Sequence, residues 1–182
     1  MRVQFFREKS LSLTVGNRLC DFDLRVGFAK SIDPKSGMTV NLVVVDQWLS
    51  ETIVLLHSQV WSSEEEFGSK ALIDLALHAG KESAELTRLE LKEHQGPTWI
   101  WNRDGAPVKE IEFRVEIESP QEKKSCLLTL RVRHTDSNHI DFPKKLKIEK
   151  FPAVAEEILS QFSFLKGVRL EFLNEPGVEA FR

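Results

Sequence analysis

The sequence predicts an α+β fold, and three observations carry that reading. Cys20, Phe22, Leu24, Val26 and Phe28 alternate with Asp21, Asp23, Arg25 and Gly27, the two-residue period of a strand with one buried face. After a turn set up by Asp33, Pro34 and Gly37, helical spacing takes over, with Val45, Trp48, Leu49, Ile53 and Leu56 on one face. The element order is strand, strand, helix, helix, strand, strand, and it then runs again in shortened form. Two units follow from this, residues 1–105 with two helices and residues 106–182 with one.

The first strand spans residues 2–13, with Val3, Phe5, Leu11 and Leu13 on alternate positions and an interruption at Arg7-Glu8-Lys9. The second strand and first helix are those just described. A second helix starts at Ser63, where Ser63 and Glu66 form a capping box, and Glu64 and Glu65 suit the positive end of the helix dipole. Its buried stripe is Phe67, Leu72, Leu75, Ala76 and Ala79, and Gly80 is placed to cap it. In a third strand Thr87, Leu89 and Leu91 alternate with Arg88, Glu90 and Lys92, and Gly96-Pro97 turns it into a short strand around Trp99, Ile100 and Trp101. Residues 102–107, NRDGAP, end the unit with strong turn chemistry.

The second unit opens with Ile111, Phe113, Val115 and Ile117 in alternation, then a loop from Pro120 to Lys124, then Leu128, Leu130 and Val132 in a second strand. Pro152 suits the first turn of a helix carrying Val154, Ile158, Leu159 and Phe162. Val168, Leu170 and Phe172 make a further strand, and Pro176-Gly177 turns into a last one ending at Phe181. Short matches link the halves. Cys20-x-x-x-Leu24-Arg25-Val26 recurs as Cys126-x-x-x-Leu130-Arg131-Val132, and Arg88-Leu89-Glu90 recurs as Arg169-Leu170-Glu171, with Gly96 and Gly177 at the same distance beyond.

Composition narrows the function classes. At 41% hydrophobic and 29% charged residues the chain reads as soluble and globular, and no apolar run approaches the ~20 residues a membrane helix needs. Phe5 and Phe6 are followed at once by Arg7, Glu8 and Lys9, so no signal peptide is expected and the cytoplasm is the expected compartment. A net charge of −3 gives no reason to expect nucleic acid, and the run Lys144, Lys145, Lys147, Lys150 reads as a solvated loop or strand face. Two cysteines exclude a disulfide framework and a four-cysteine zinc site. Cys20 and Cys126 share the parity of the inward leucines around them, which makes them small apolar core residues rather than nucleophiles.

Strand, then Asp33-Pro34-x-x-Gly37-Met38-x-x-Asn41-Leu42, then helix resembles the 6-pyruvoyltetrahydropterin synthase and 6-carboxytetrahydropterin synthase family, in which a Gly-Met-Val-x-Asp/Asn-Phe/Leu run follows the second strand. Gly37, Met38, Val40, Asn41 and Leu42 stand in those places, and Ile140-Asp141-Phe142 looks like the family's Val-Asp-Phe step in the second half. The resemblance implies a T-fold, an antiparallel four-stranded sheet with helices on one face, here as two tandem ββα(α)ββ units. It also implies a homo-oligomer, since family subunits join edge to edge into rings.

The family holds zinc with three histidines, one on the first strand and a His-x-His pair opening the second. This chain has no histidine before His57 and reads Val15-Gly16-Asn17-Arg18-Leu19 at the pair, so no zinc or other cofactor is expected. His78, His94, His134 and His139 share no metal-ligand spacing with it. The family's catalytic cysteine precedes the histidine pair, and no cysteine precedes Cys20. Two positions do correspond. Leu55-Leu56-His57 stands at the family's Leu-Asp-His step, whose histidine takes part in proton transfer; the other reading of His57 is a surface histidine at a helix end. Glu93 stands at the family's pterin-anchoring glutamate; the other reading is an exposed glutamate near a turn. Asn174 takes the corresponding place in the second half.

Three functions stay open. One is a divergent T-fold protein that binds a pterin or purine-like small molecule at Glu93 without zinc chemistry. Another is an active pterin or deazapurine enzyme with a metal-free set containing His57 and Glu93. The third is a non-catalytic assembly or partner-binding protein.

Overall fold

The computed structural model describes residues 2–31, 35, 42–82, 86–137, 139–149 and 151–182. The turn expected at Asp33, Pro34 and Gly37 and the run from Gly37 to Asn41 lie outside them. Two compact units make up the chain, Met1–Pro107 and Val108–Arg182.

Unit 1 consists of β1 (Arg2–Val15), β2 (Arg18–Ser31), α1 (Leu42–His57), α2 (Glu64–Glu82), β3 (Leu86–Glu93) and β4 (Thr98–Asn102). Its strands pair antiparallel in the order β1-β2-β3-β4. Gly16 makes the β1–β2 hairpin possible: its φ of 61° lies in the left-handed region where a side chain is strained, and its N–H donates to the Trp61 carbonyl at 2.7 Å. That bond brings the segment after α1 back to the hairpin.

Strand alternation and helical spacing agree on one core. Leu11, Leu13 and Val15 of β1, the even residues Cys20 to Phe28 of β2, Leu89 and Leu91 of β3 and Trp99 of β4 are all buried in a single cluster. The same cluster holds Val45, Trp48, Leu49 and Leu56 of α1 and Phe67, Ala71, Leu72 and Leu75 of α2. Both helices therefore lie on one face of the unit 1 sheet, and Asp21, Asp23 and Arg25 of β2 with Arg88, Glu90 and Lys92 of β3 form the other, polar face.

Two local expectations need correcting. Arg7-Glu8-Lys9 does not interrupt β1, because Arg7 and Lys9 reach across to α1, where Arg7 Nη2 donates to Asp46 Oδ2 and Lys9 Nζ to Ser50 Oγ, each at 3.0 Å. Gly80 does not end α2, which continues to Glu82. Ile53 packs partly buried against the core with its expected face, and Thr52 beside it is fully buried. The start of α2 follows the expected chemistry, with Glu66 N–H donating to Ser63 Oγ at 3.1 Å.

Unit 2 contains β5 (Val108–Glu118), β6 (Lys123–Arg133), β7 (Lys145–Lys147), a 3₁₀ turn at Phe151–Ala153 that takes up Pro152, α3 (Val154–Gln161), β8 (Gly167–Phe172) and β9 (Val178–Phe181). Antiparallel pairs join β5 to β6, β6 to β8 and β8 to β9. The lysine run hides a strand that alternation could not reveal in three residues: β7 pairs parallel with β5 and buries Leu146 while Lys145 and Lys147 face solvent. Ile158 and Leu159 of α3 pack with Val115, Ile117, Leu128, Leu130 and Leu170 in the unit's core. Lys109 is also fully buried and donates from Nζ to the Asp136 carbonyl.

Strand pairing separates the short matches between halves. Leu89 faces Val26 in unit 1, whereas Leu170 faces Leu128 in unit 2, four positions from the matching Val132 (132 − 128 = 4). The matched triplets thus sit in different registers.

No helix among the described residues is long and apolar enough to cross a membrane.

Gly68 in α2 gives a prediction whose sign depends on packing. Alanine in a helix interior is ordinarily better than glycine by about 1 kcal/mol. A Cβ on Gly68 would stand 2.0 Å from Trp99 Cε2 and Nε1, inside a ring that is itself fully buried. Gly68→Ala should lower the urea midpoint, with a net loss of about 1–2 kcal/mol from overpacking. A midpoint at or above that of the wild type would mean that Trp99 yields without cost.

Candidate functional site

The site begins with alternation at the end of β3. Leu89 and Leu91 point to the helix side, and Glu93, two residues on, follows them to a position only 4% exposed. Its Cα partner across the ladder is Phe22, itself fully buried. The reading of Glu93 as an exposed glutamate near a turn is thereby overturned: it is a carboxylate at the rim of the apolar core.

The turn after β3 holds that carboxylate in place. Glu93 N–H donates to the Pro97 carbonyl at 3.1 Å and Gly96 N–H donates to the Glu93 carbonyl at 3.3 Å. Gly96 lies directly against the side chain, since a Cβ there would come within 2.2 Å of Glu93 Oε2. Only glycine lets the backbone approach the carboxylate this closely. Arg18, the first residue of β2, points its Nη2 at Glu93 Oε1 over 3.4 Å, and its side chain is 63% exposed against 4% for Glu93.

Arg18 is the residue that reading the sequence for function missed. The sequence gives it no role beyond its place in the stretch Val15 to Leu19, which carries no histidine. Its even parity, shared with Cys20 and Phe22, is the signal that places it on the same side as Glu93. The residues here do not fit a zinc ion: Val15 is packed in the core, Gly16 has no side chain and Arg18 is a cation facing Glu93. Among the described residues no group of three or more histidine, cysteine, aspartate or glutamate side chains could hold a metal.

His94 goes the other way. As the residue after Glu93 it emerges on the polar face, where Nε2 lies 3.0 Å from Asp23 Oδ2 and its N–H donates to the Asp21 carbonyl at 3.0 Å. Ser10 Oγ donates to the other oxygen of Asp23 at 2.6 Å, and Ser12 Oγ to Asp21 Oδ1 at 2.5 Å. The Ser10 hydroxyl, with help from His94, holds the Asp23 carboxyl below its usual range despite partial desolvation. This cluster ties β1, β2 and the end of β3 together behind Glu93.

His57 is the last residue of α1 and faces solvent. No hydrogen bond or ion pair among the described residues links it to Glu93. Leu56, the residue before it, is buried in the core. Both cysteines are buried, and burial pushes the Cys126 thiol up to about 11, so it carries no thiolate at neutral pH.

In unit 2, Asn174 is exposed and adopts a φ of 63°, a turn position rather than a core-rim anchor. An open groove of about 660 Å³ on this unit is lined by Arg114, Glu116, Ser125, Leu127, Glu171 and Leu173 among others. Its carboxylates are already engaged: Lys123 lies 3.0 Å from Glu116 and holds that carboxyl low, and Arg169 lies 3.3 Å from Glu171. Glu93 is thus the described carboxylate that combines burial, a fixed backbone and a solvent-facing donor.

A depressed carboxyl makes stability depend on pH in a definite direction. Asp23 titrates lower when folded than when unfolded, so its contribution is present above the unfolded value near ~3.9 and fades as pH falls through the folded one. Asp23→Asn should therefore lower the unfolding midpoint at pH 7, and the gap to the wild type should close below pH ~4. A gap that stays constant from pH 7 to pH 3 would show that Asp23 acts through shape alone.

No protein-family model matches the chain, and no curated protein matches it. Among solved structures the chain is similar to that of Caenorhabditis elegans 6-pyruvoyl tetrahydropterin synthase, at 13% identity and a TM-score of 0.46, over 56% of this chain and 96% of that one. At this identity and TM-score the likeness does not place the chain in that family.

Proposed function

We propose that the chain is a divergent T-fold protein of the 6-pyruvoyltetrahydropterin synthase type, in which Glu93 anchors a pterin or purine-like ligand without zinc chemistry. The observation that carries this reading is the burial of Glu93 at the last residue of β3, with its backbone locked by the Pro97 carbonyl and Gly96. A carboxylate withdrawn from water is costly unless donors reach it. Two coplanar N–H groups on a flat heterocycle are donors of the kind a carboxylate accepts in paired, charge-assisted hydrogen bonds. Unit 1 supplies the layout this reading requires, four antiparallel strands with both helices on one face.

Unit 2 belongs to the same reading as a shortened T-fold-like copy without an equivalent anchor. The setting is cytoplasmic. A metal-free enzyme has less support, because His57 faces solvent and its would-be orienting partner is the buried Leu56.

Assembly has an observation of its own in favour. Val43, Val44, Val54 and Leu55 of α1 are exposed, as are Ile73 and Leu77 of α2, and β1 is an outer strand of fourteen residues. A homo-oligomer covering such surface is the corresponding proposal. Light scattering should return a multiple of 20.9 kDa, and a monomer at micromolar concentration would remove it.

Fluorescence titration with neopterin tests the anchor. The wild type should show saturable binding, and Glu93→Gln should weaken it by about ten- to a hundred-fold, as expected for charge-assisted bonds. Absence of saturable binding by the wild type sinks the ligand reading and leaves assembly.

A further inference from the structure

Thr129 stands on the polar side of β6 between Leu128 and Leu130, which go to the core, yet it is only 3% exposed. Its Cα partners are Glu112 on β5 and Arg169 on β8. The Thr129 hydroxyl has no hydrogen-bond partner among the described residues, and neither has Arg169 Nε, which is buried as well. Burying a hydroxyl is costly unless a partner replaces the water it loses.

Both residues line one small cavity of unit 2, together with Glu110, Arg131, Gly167 and Phe181. Phe181 forms a wall of it. Its ring lies on Gly167, where a Cβ would come within 2.5 Å of Cδ1, and the Arg131 guanidinium sits 4.8 Å from the ring centre. Arg131 Nε donates to Glu110 Oε1 at 3.0 Å, while Glu110 Oε2 is 3.9 Å from Arg169 Nη2. That gap is too long for a direct hydrogen bond and is of the length a water molecule bridges.

We propose that this cavity is the binding site of one ordered water molecule, which donates to Glu110 Oε2 and Thr129 Oγ1 and accepts from the Arg169 guanidinium. Size and charge both select water. About 10 Å³ of free room holds one water molecule and nothing larger. Glu110 and Glu171 balance Arg131 and Arg169, so the surroundings call for no ion. Three protein partners is the ordinary number for a buried water. The bridge joins side chains of β5, β6 and β8 on the face opposite the core.

Thr129→Val tests this, because valine keeps the shape of the side chain and removes the hydroxyl. For a hydroxyl with no partner the exchange is favourable, since valine suits a strand and leaves nothing polar buried there. For a bridged hydroxyl it is unfavourable, and the folding constant from urea unfolding should fall by about three- to tenfold. A constant that is unchanged or higher overturns the site. Crystals of the wild-type protein give a direct reading, in which density for one water should lie within hydrogen-bond distance of Thr129 Oγ1, Glu110 Oε2 and Arg169. No density there overturns the inference. So does an anomalous signal at that position after a bromide soak, because the site then takes an anion.

Discussion

The inward face of β2 is the constraint on which unit 1 depends. Phe22 is fully buried, with its ring 4.8 Å from that of Phe67 on α2 and 6.4 Å from that of Trp99 on β4. Phe67 in turn lies 4.8 Å from Trp61, edge on, and Trp61 donates from its indole N–H to the Leu56 carbonyl at the end of α1. Four rings thus join β2, β4, α2 and the segment leaving α1. Aromatic side chains bury more area than any others, so their packing dominates the local free energy. Because Phe22 faces Glu93 across the ladder, this cluster also determines where the carboxylate comes to rest.

A polar group at the rim of such a core is held by geometry that the core imposes. Alternation sends Glu93 to the helix side and His94 to the polar side, two adjacent residues with separate tasks. His94 and Asp23 brace the strand end from behind, in a network whose partners come from β1, β2 and the turn after β3. Glu93 is left facing Arg18, whose charge compensates it without enclosing it. Glu93 thus combines a carboxylate acceptor, a solvent-facing guanidinium and an apolar flank, and His57 stands apart from it, exposed at the end of α1.

Unit 2 shows how little the fold alone says about chemistry. It combines antiparallel pairs, one parallel strand and a helix, yet Asn174 serves a turn, the carboxylates of its groove are paired with lysine and arginine, and its buried lysine donates to the Asp136 carbonyl. Function resides in the site carried by a fold. The different pairing registers of β3 and β8 make the same point in structural terms, because a shift along the ladder moves every side chain relative to its neighbours.

By itself the sequence determined most elements and their buried faces, because those follow from periods of two and 3.6 residues: Phe22, Leu24 and Val26 inward, Val45, Trp48 and Leu49 toward the sheet, Ser63 at the start of α2. It also determined the absence of zinc-binding histidines at the hairpin and the candidacy of Glu93. Tertiary structure alone decided what depends on partners far along the chain. Residues 7–9 continue β1 because α1 supplies Asp46 and Ser50, and β7 exists because β5 offers an edge. Glu93 is buried because Phe22 and Gly96 close on it, and Arg18 belongs to the site because the β2–β3 register brings two residues seventy-five positions apart to 3.4 Å. Local periodicity reports which way a side chain faces; only long-range pairing decides what it meets there.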